Sequence, residues 1–103
     1  MGYYTQYTLT EEKNPADPEK LEAYLQDVDL LWLINERDNE ATKWYEHDED
    51  MKALSKVFPT TVFKLHGDGE EVGDSWERYY HNGNIIFNAP VIETFLKPDL
   101  SKY

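Results

Sequence analysis

Residues 43–87 constrain the fold more than any other part of the chain. Within that stretch the apolar period changes from helical to alternating, and the chain then turns back on itself at an Asn-Gly pair. Met51, Leu54 and Phe58 recur at helical spacing behind Asp48, Glu49 and Asp50, with Lys52 and Lys56 on the opposite side. Pro59 ends that helix, because it lacks an amide donor and its ring clashes with the preceding turn. Thr61, Phe63 and Leu65 then alternate with Val62, Lys64 and His66, and Trp76, Arg78 and Tyr80 with Glu77 and Tyr79. Asn82-Gly83-Asn84 predicts a tight hairpin turn, since both Asn and Gly tolerate positive φ, and a short strand follows over 85–87 until Pro90. An amphipathic helix ahead of such a hairpin buries its stripe on one face of the sheet.

The rest of the chain reads as material laid against this unit. Residues 3–9 alternate and predict a strand with Tyr3, Thr5, Tyr7 and Leu9 on one face. A polar connection over 10–14 and the Asn14-Pro15 break follow. Asp17-Pro18-Glu19 predicts a helix start: a capping carboxylate, proline at the first helical position and an acid at the positive end of the dipole. Leu21, Tyr24, Leu25 and Val28 supply its apolar stripe. Residues 30–34 fit either a buried strand or a helical extension. A polar connection over 35–40 leads to expected strand character over 42–46, with Trp44 and Tyr45 on opposite faces. Val91, Ile92, Phe95 and Leu96 fit one helical turn or a packed tail ended by Pro98. The resulting order, β-α-(β)-β-α-β-β, predicts an α+β ferredoxin-like two-layer sandwich, with a mostly antiparallel sheet and two helices on one face. With 103 residues the chain makes one domain, 1–103, with 88–103 as its tail.

Composition narrows the function classes. Twenty-one Asp and Glu against ten Lys and Arg give a formal net charge of −11. Such a field repels nucleic acid, whose binding rests on basic phosphate contacts, and anionic membrane surfaces; it attracts basic partners. The absence of cysteine excludes disulfides and thiolate metal sites, and with no signal-like or spanning apolar run it predicts a cytoplasmic location. Gly2 lacks the Ser or Thr a myristoylation motif needs, because Gln6 stands there.

No motif carries catalysis. Asp68, Glu70, Glu71 and Asp74 crowd one loop, but the helix-loop-helix frame of a calcium site is missing, and a solvated hairpin loop accounts for them. His47 among Glu46, Asp48, Glu49 and Asp50 lacks the spacing of a metal motif, and capping acids beside a histidine account for that run. Gly67-Asp68-Gly69 leads into acids rather than a lysine-bearing helix, so it repels phosphate. Ser55, Ser75 and Ser101 have no nucleophile signature. The aromatic set Tyr3, Tyr7, Trp44, Trp76, Tyr79 and Tyr80 lacks the basic residues of a stacking platform and reads as sheet core. No catalytic residue, metal ligand or cofactor site is assigned.

From Lys43-Trp44 through Leu54-Ser55, Phe58-Pro59 and the glycine-rich loop to Asn82-Gly83, the string resembles small phage and mobile-element proteins with a ferredoxin-like domain. The resemblance implies a phage origin and that fold, and brings no active site. The expected function is a non-enzymatic phage-type accessory protein that inhibits a host nucleic-acid-binding or defence protein, in the manner of anti-CRISPR, anti-restriction or DNA-mimic proteins. Its expected contact residues are Glu46, Asp48, Glu49, Asp50, Asp68, Glu70, Glu71 and Asp74, presented to a basic host surface. The same acids also fit a merely solvated surface. Two alternatives stand beside it: an interaction or assembly module, including a homodimer, anchored by exposed Tyr and Trp, and a small metal-binding domain.

Overall fold

The Asn82-Gly83 turn forms as expected and sets the sheet. In a computed structural model, which describes residues 5–34, 44, 46–69, 75–90 and 98–103, both turn residues have positive φ, 47° and 84°. They join β3 (Ser75–His81) to β4 (Asn84–Pro90), with His81 paired to Asn84. β2 (Val62–Gly69) pairs antiparallel with β3, and β1 (Thr5–Lys13) antiparallel with β2, giving the order β1-β2-β3-β4. β1 runs past the expected boundary into residues 10–13 because Glu11 and Lys13 pair with Phe63 and Val62 across an irregularity in the register. Polar side chains there do not prevent the ladder from forming.

The register assigns the faces. Tyr7 lies opposite Gly67 and then Trp76, Leu9 opposite Leu65 and then Arg78, and Glu11 opposite Phe63 and then Tyr80. This face carries both helices. α1 (Pro18–Asp27) contributes Leu21 and Leu25, and α2 (His47–Val57) contributes Met51 and Leu54, to one buried cluster with Tyr7, Phe63, Leu65 and Tyr80. A short 3-10 turn, Leu31–Leu33, adds Leu30 and Leu33, which resolves 30–34 as a helical element and not a strand. Asp17 caps α1 by accepting from the Glu19 amide at 3.0 Å, with Pro18 at the first position. Val28 departs from the expected stripe: it closes α1 and is 41% exposed.

The two-layer α+β sandwich stands; the ferredoxin-like connectivity does not appear among the described residues. That plan alternates β-α-β units, whereas here both helices occupy one excursion between β1 and β2, and every described strand pair is an antiparallel sequence neighbour. Of the strand expected over 42–46, Trp44 and Glu46 are described and neither lies in a strand; Glu46 precedes α2 as its cap residue. Tyr3, Tyr45 and the tail residues Val91, Ile92, Phe95 and Leu96 lie outside the described residues.

α1 ends with a strained residue. The Leu30 amide donates to Leu25 O at 2.7 Å and that of Asp29 to Gln26 O at 3.3 Å, which places Asp29 at φ 61°. Glycine meets no Cβ penalty in that left-handed conformation. Asp29→Gly is therefore expected to stabilise the fold by about 0.5–1 kcal/mol, read as a higher unfolding midpoint in urea with an unchanged m value.

Candidate functional site

The acids expected to bind a partner divide once their contacts are known. Arg78 is a charged residue on the helix-facing side of β3, flanked by Trp76 and Tyr80. α2 begins directly above it and brings down Asp48. Arg78 Nη1 donates to both Asp48 oxygens at 2.8 Å, and the Tyr80 hydroxyl donates to Asp48 Oδ1 at 2.5 Å. Tyr80 is fully buried, so this carboxylate satisfies a hydroxyl that has left water. Asp50 accepts from Trp44 Nε1 at 2.7 Å and holds the indole against the start of the helix. Asp48 and Asp50 are thus structural anchors as well as half-buried acids at the start of α2. Glu46 and Glu49, on the same turn, are exposed.

His47 completes the anchor. Its Nδ1 lies 2.9 Å from Trp44 O, which only accepts, so Nδ1 carries the proton and Nε2 accepts from Arg78 Nη1 at 3.0 Å. The ring stacks on Trp76 at 5.1 Å and 27°, while the Arg78 guanidinium lies 4.7 Å from the Trp76 ring. Tyr7 meets Trp76, Trp44 and Trp32 edge-on at 6.1, 5.1 and 6.3 Å. Trp76 lies over Gly67, where an added Cβ would come within 2.7 Å of Nε1. The sequence signal for this cluster is Arg78 itself, a cation on an aromatic strand face, because a charge in that position requires a carboxylate from the layer above.

Burial and hydrogen bonding set the charge states here. Burial pushes the Asp48 carboxyl up, but hydrogen bonds from Tyr80 and Arg78 and the Arg78 charge outweigh it, leaving it below the usual range. Burial, followed by the hydrogen bond to Asp48 and its charge, drives the Tyr80 hydroxyl far above the usual tyrosine range. Burial also raises Tyr7. The lowered Asp48 contributes stability above about pH 4 that is lost as pH falls through its native value. The raised tyrosines contribute stability below about pH 10 that is lost as pH rises. Thermal midpoints measured across pH should therefore fall at both ends, with Asp48→Asn flattening the acid limb and Tyr80→Phe the alkaline one.

The outer sheet face carries a second polar group. Lys64 reaches Glu12 at 3.0 Å and Glu77 at 3.5 Å, and His66 Nδ1 lies 3.3 Å from Glu77. Burial lowers the Lys64 amine, but the Glu12 hydrogen bond and the Glu12 and Glu77 charges raise it further, so it stays above its usual value. Asp68 belongs to this face: it is exposed and accepts from Ser75 Oγ at 2.7 Å. It is therefore not brought together with the acids of α2. Glu70, Glu71 and Asp74 lie outside the described residues. Among the described aromatics Tyr7, Trp44, Tyr79 and Tyr80 are buried, and Tyr24, Trp32, Trp76 and Tyr103 are partly buried. Among the described residues no group of three or more His, Asp or Glu is placed to hold a metal ion, and no helix is long and apolar enough to cross a membrane. Comparison with protein-family models, curated protein sequences and solved structures finds no match to this chain.

Proposed function

We propose that this is a non-enzymatic, phage-type acidic binding protein that occupies the basic nucleic-acid groove of a host defence or nucleic-acid-binding protein. The observation that carries the reading is the net charge of −11 together with where the described carboxylates stand. Glu19, Glu22, Asp27, Asp29, Glu46 and Glu49 are all exposed on the helix layer, and those of α2 are presented by a turn anchored to the sheet through Asp48. Carboxylates fixed on short helices present negative charge at defined spacing, as a phosphate backbone does, and their summed field steers encounter with a basic groove. Asp68, with Glu70, Glu71 and Asp74, extends the negative field as a second element, tested separately from the helices.

The test is affinity capture from a bacterial lysate at low and at high salt. Three baits are used: the native protein, a variant with Glu19, Glu22, Glu46 and Glu49 changed to Gln, and one with the four loop acids changed to Ser. The reading predicts basic nucleic-acid-binding proteins retained at low salt, released at high salt and lost from the helix variant. Retention that survives both high salt and the helix substitutions overturns it.

A further inference from the structure

Asn82-Gly83 has chemistry beyond its role as a turn. When the amide nitrogen of Gly83 attacks Asn82 Cγ, an N–Cγ bond forms and the Cγ–Nδ2 bond breaks. The amide proton leaves with the nitrogen as ammonia, and a cyclic succinimide remains. Water then opens the ring, at Cγ to give Asp or at the main-chain carbonyl to give isoaspartate. No reagent besides water is consumed. Glycine on the carboxyl side favours the reaction because no side chain hinders the attacking nitrogen. Asn82 is exposed, so its amide group meets water.

Two features of the fold oppose that attack. Both turn residues are fixed at positive φ by the hairpin. In addition the Gly83 amide, the nucleophile itself, donates to Ser55 Oγ at 2.9 Å. Ser55 sits in α2, is fully buried and donates its own proton to Lys52 O at 2.9 Å, so its oxygen is oriented to accept. The Lys56 side chain lies on the side of Gly83 where a Cβ would stand, 3.6–3.8 Å from that position. The turn is therefore docked on α2 by one hydrogen bond to the atom that must be freed for reaction.

We infer that Asn82 is a site of spontaneous conversion to aspartate and isoaspartate, and that the Gly83–Ser55 hydrogen bond sets its rate by holding the turn against α2. Local opening of the turn, without global unfolding, exposes the nucleophile. Both products add a negative charge, and isoaspartate also adds a main-chain carbon to a two-residue turn, which breaks the His81–Asn84 register. The converted protein loses the contact between the hairpin and α2.

Incubation of the intact protein at mildly alkaline pH, with peptide mass spectrometry at Asn82, tests this. Removing the hydrogen bond shifts the opening equilibrium about tenfold. Ser55→Ala is thus expected to convert about tenfold faster than the native chain, and Leu21→Ala, which loosens the core from α1, to leave the rate near native. Equal rates in the native chain and Ser55→Ala, or equal acceleration by Leu21→Ala, overturn the inference. Should Ser55→Ala fail to fold, the native protein in sub-denaturing urea decides the matter. Conversion must follow exchange of the Gly83 amide; conversion that follows global unfolding instead overturns the inference.

Discussion

Asp48→Ala is expected to destabilise the protein by about 2–4 kcal/mol, although aspartate at an exposed helix start ordinarily costs far less to remove. The loss comes from what is left behind. Tyr80 is fully buried and loses the acceptor of its hydroxyl, and Arg78 keeps its charge beneath α2 with His47 Nε2 as the remaining acceptor of Nη1. Asp48 and Arg78 are themselves partly solvated, so the Coulombic share is screened and the buried hydroxyl carries most of the cost. Asp48→Asn keeps one acceptor oxygen and should cost about 1–2 kcal/mol. Tyr80→Phe removes the donor along with its need, so Asp48→Ala combined with Tyr80→Phe should cost less than the two single changes added. Chemical denaturation of the four proteins gives this cycle. An Asp48→Ala midpoint indistinguishable from native would return Asp48 to the solvated acids.

Gly67→Ala should have an effect of similar size from a single added carbon. Gly67 is buried in β2 opposite Trp76, whose indole occupies the place of a Cβ there, so the new methyl would overlap the ring. The ring is pinned by His47 stacking and by the edge of Tyr7, so it has little room to yield. The cost is expected to be about 2–3 kcal/mol, the overpacking range, together with a change in tryptophan near-UV ellipticity as the ring is displaced. Replacing Trp76 by Leu in the same chain should remove most of the Gly67→Ala penalty. An unaltered spectrum and stability in Gly67→Ala would show that the indole moves freely.

The two cases mark where sequence patterning succeeds and where it stops. Asp17-Pro18, the Met51/Leu54 stripe, the alternation of β2 and β3 and the Asn82-Gly83 turn are local signals, and each reappears with its expected face. The connectivity is not local. Strand pairing at residues 42–46 would depend on partners distant in sequence, and the described Trp44 and Glu46 lie outside any strand. β1 ran long for the same reason: Glu11 and Lys13 are drawn into the ladder by Phe63 and Val62, not by their own propensity. For the site, charge counting found the acids of 46–50, but spacing alone does not separate Asp48 and Asp50, which face Arg78 and Trp44, from Glu46 and Glu49, which face water. That distinction required knowing which residue of β3 lies beneath the first turn of α2.

Competition for the target tests whether the exposed carboxylates of the helix layer stand in for a phosphate backbone, as proposed. With a basic nucleic-acid-binding target recovered by capture, duplex DNA labelled with a fluorophore is bound and the protein is titrated in. Mutually exclusive binding is expected, with DNA displaced by the native protein, less by the Glu19, Glu22, Glu46 and Glu49 to Gln variant, and progressively less for both as salt rises. A stable ternary complex of target, DNA and protein would contradict it.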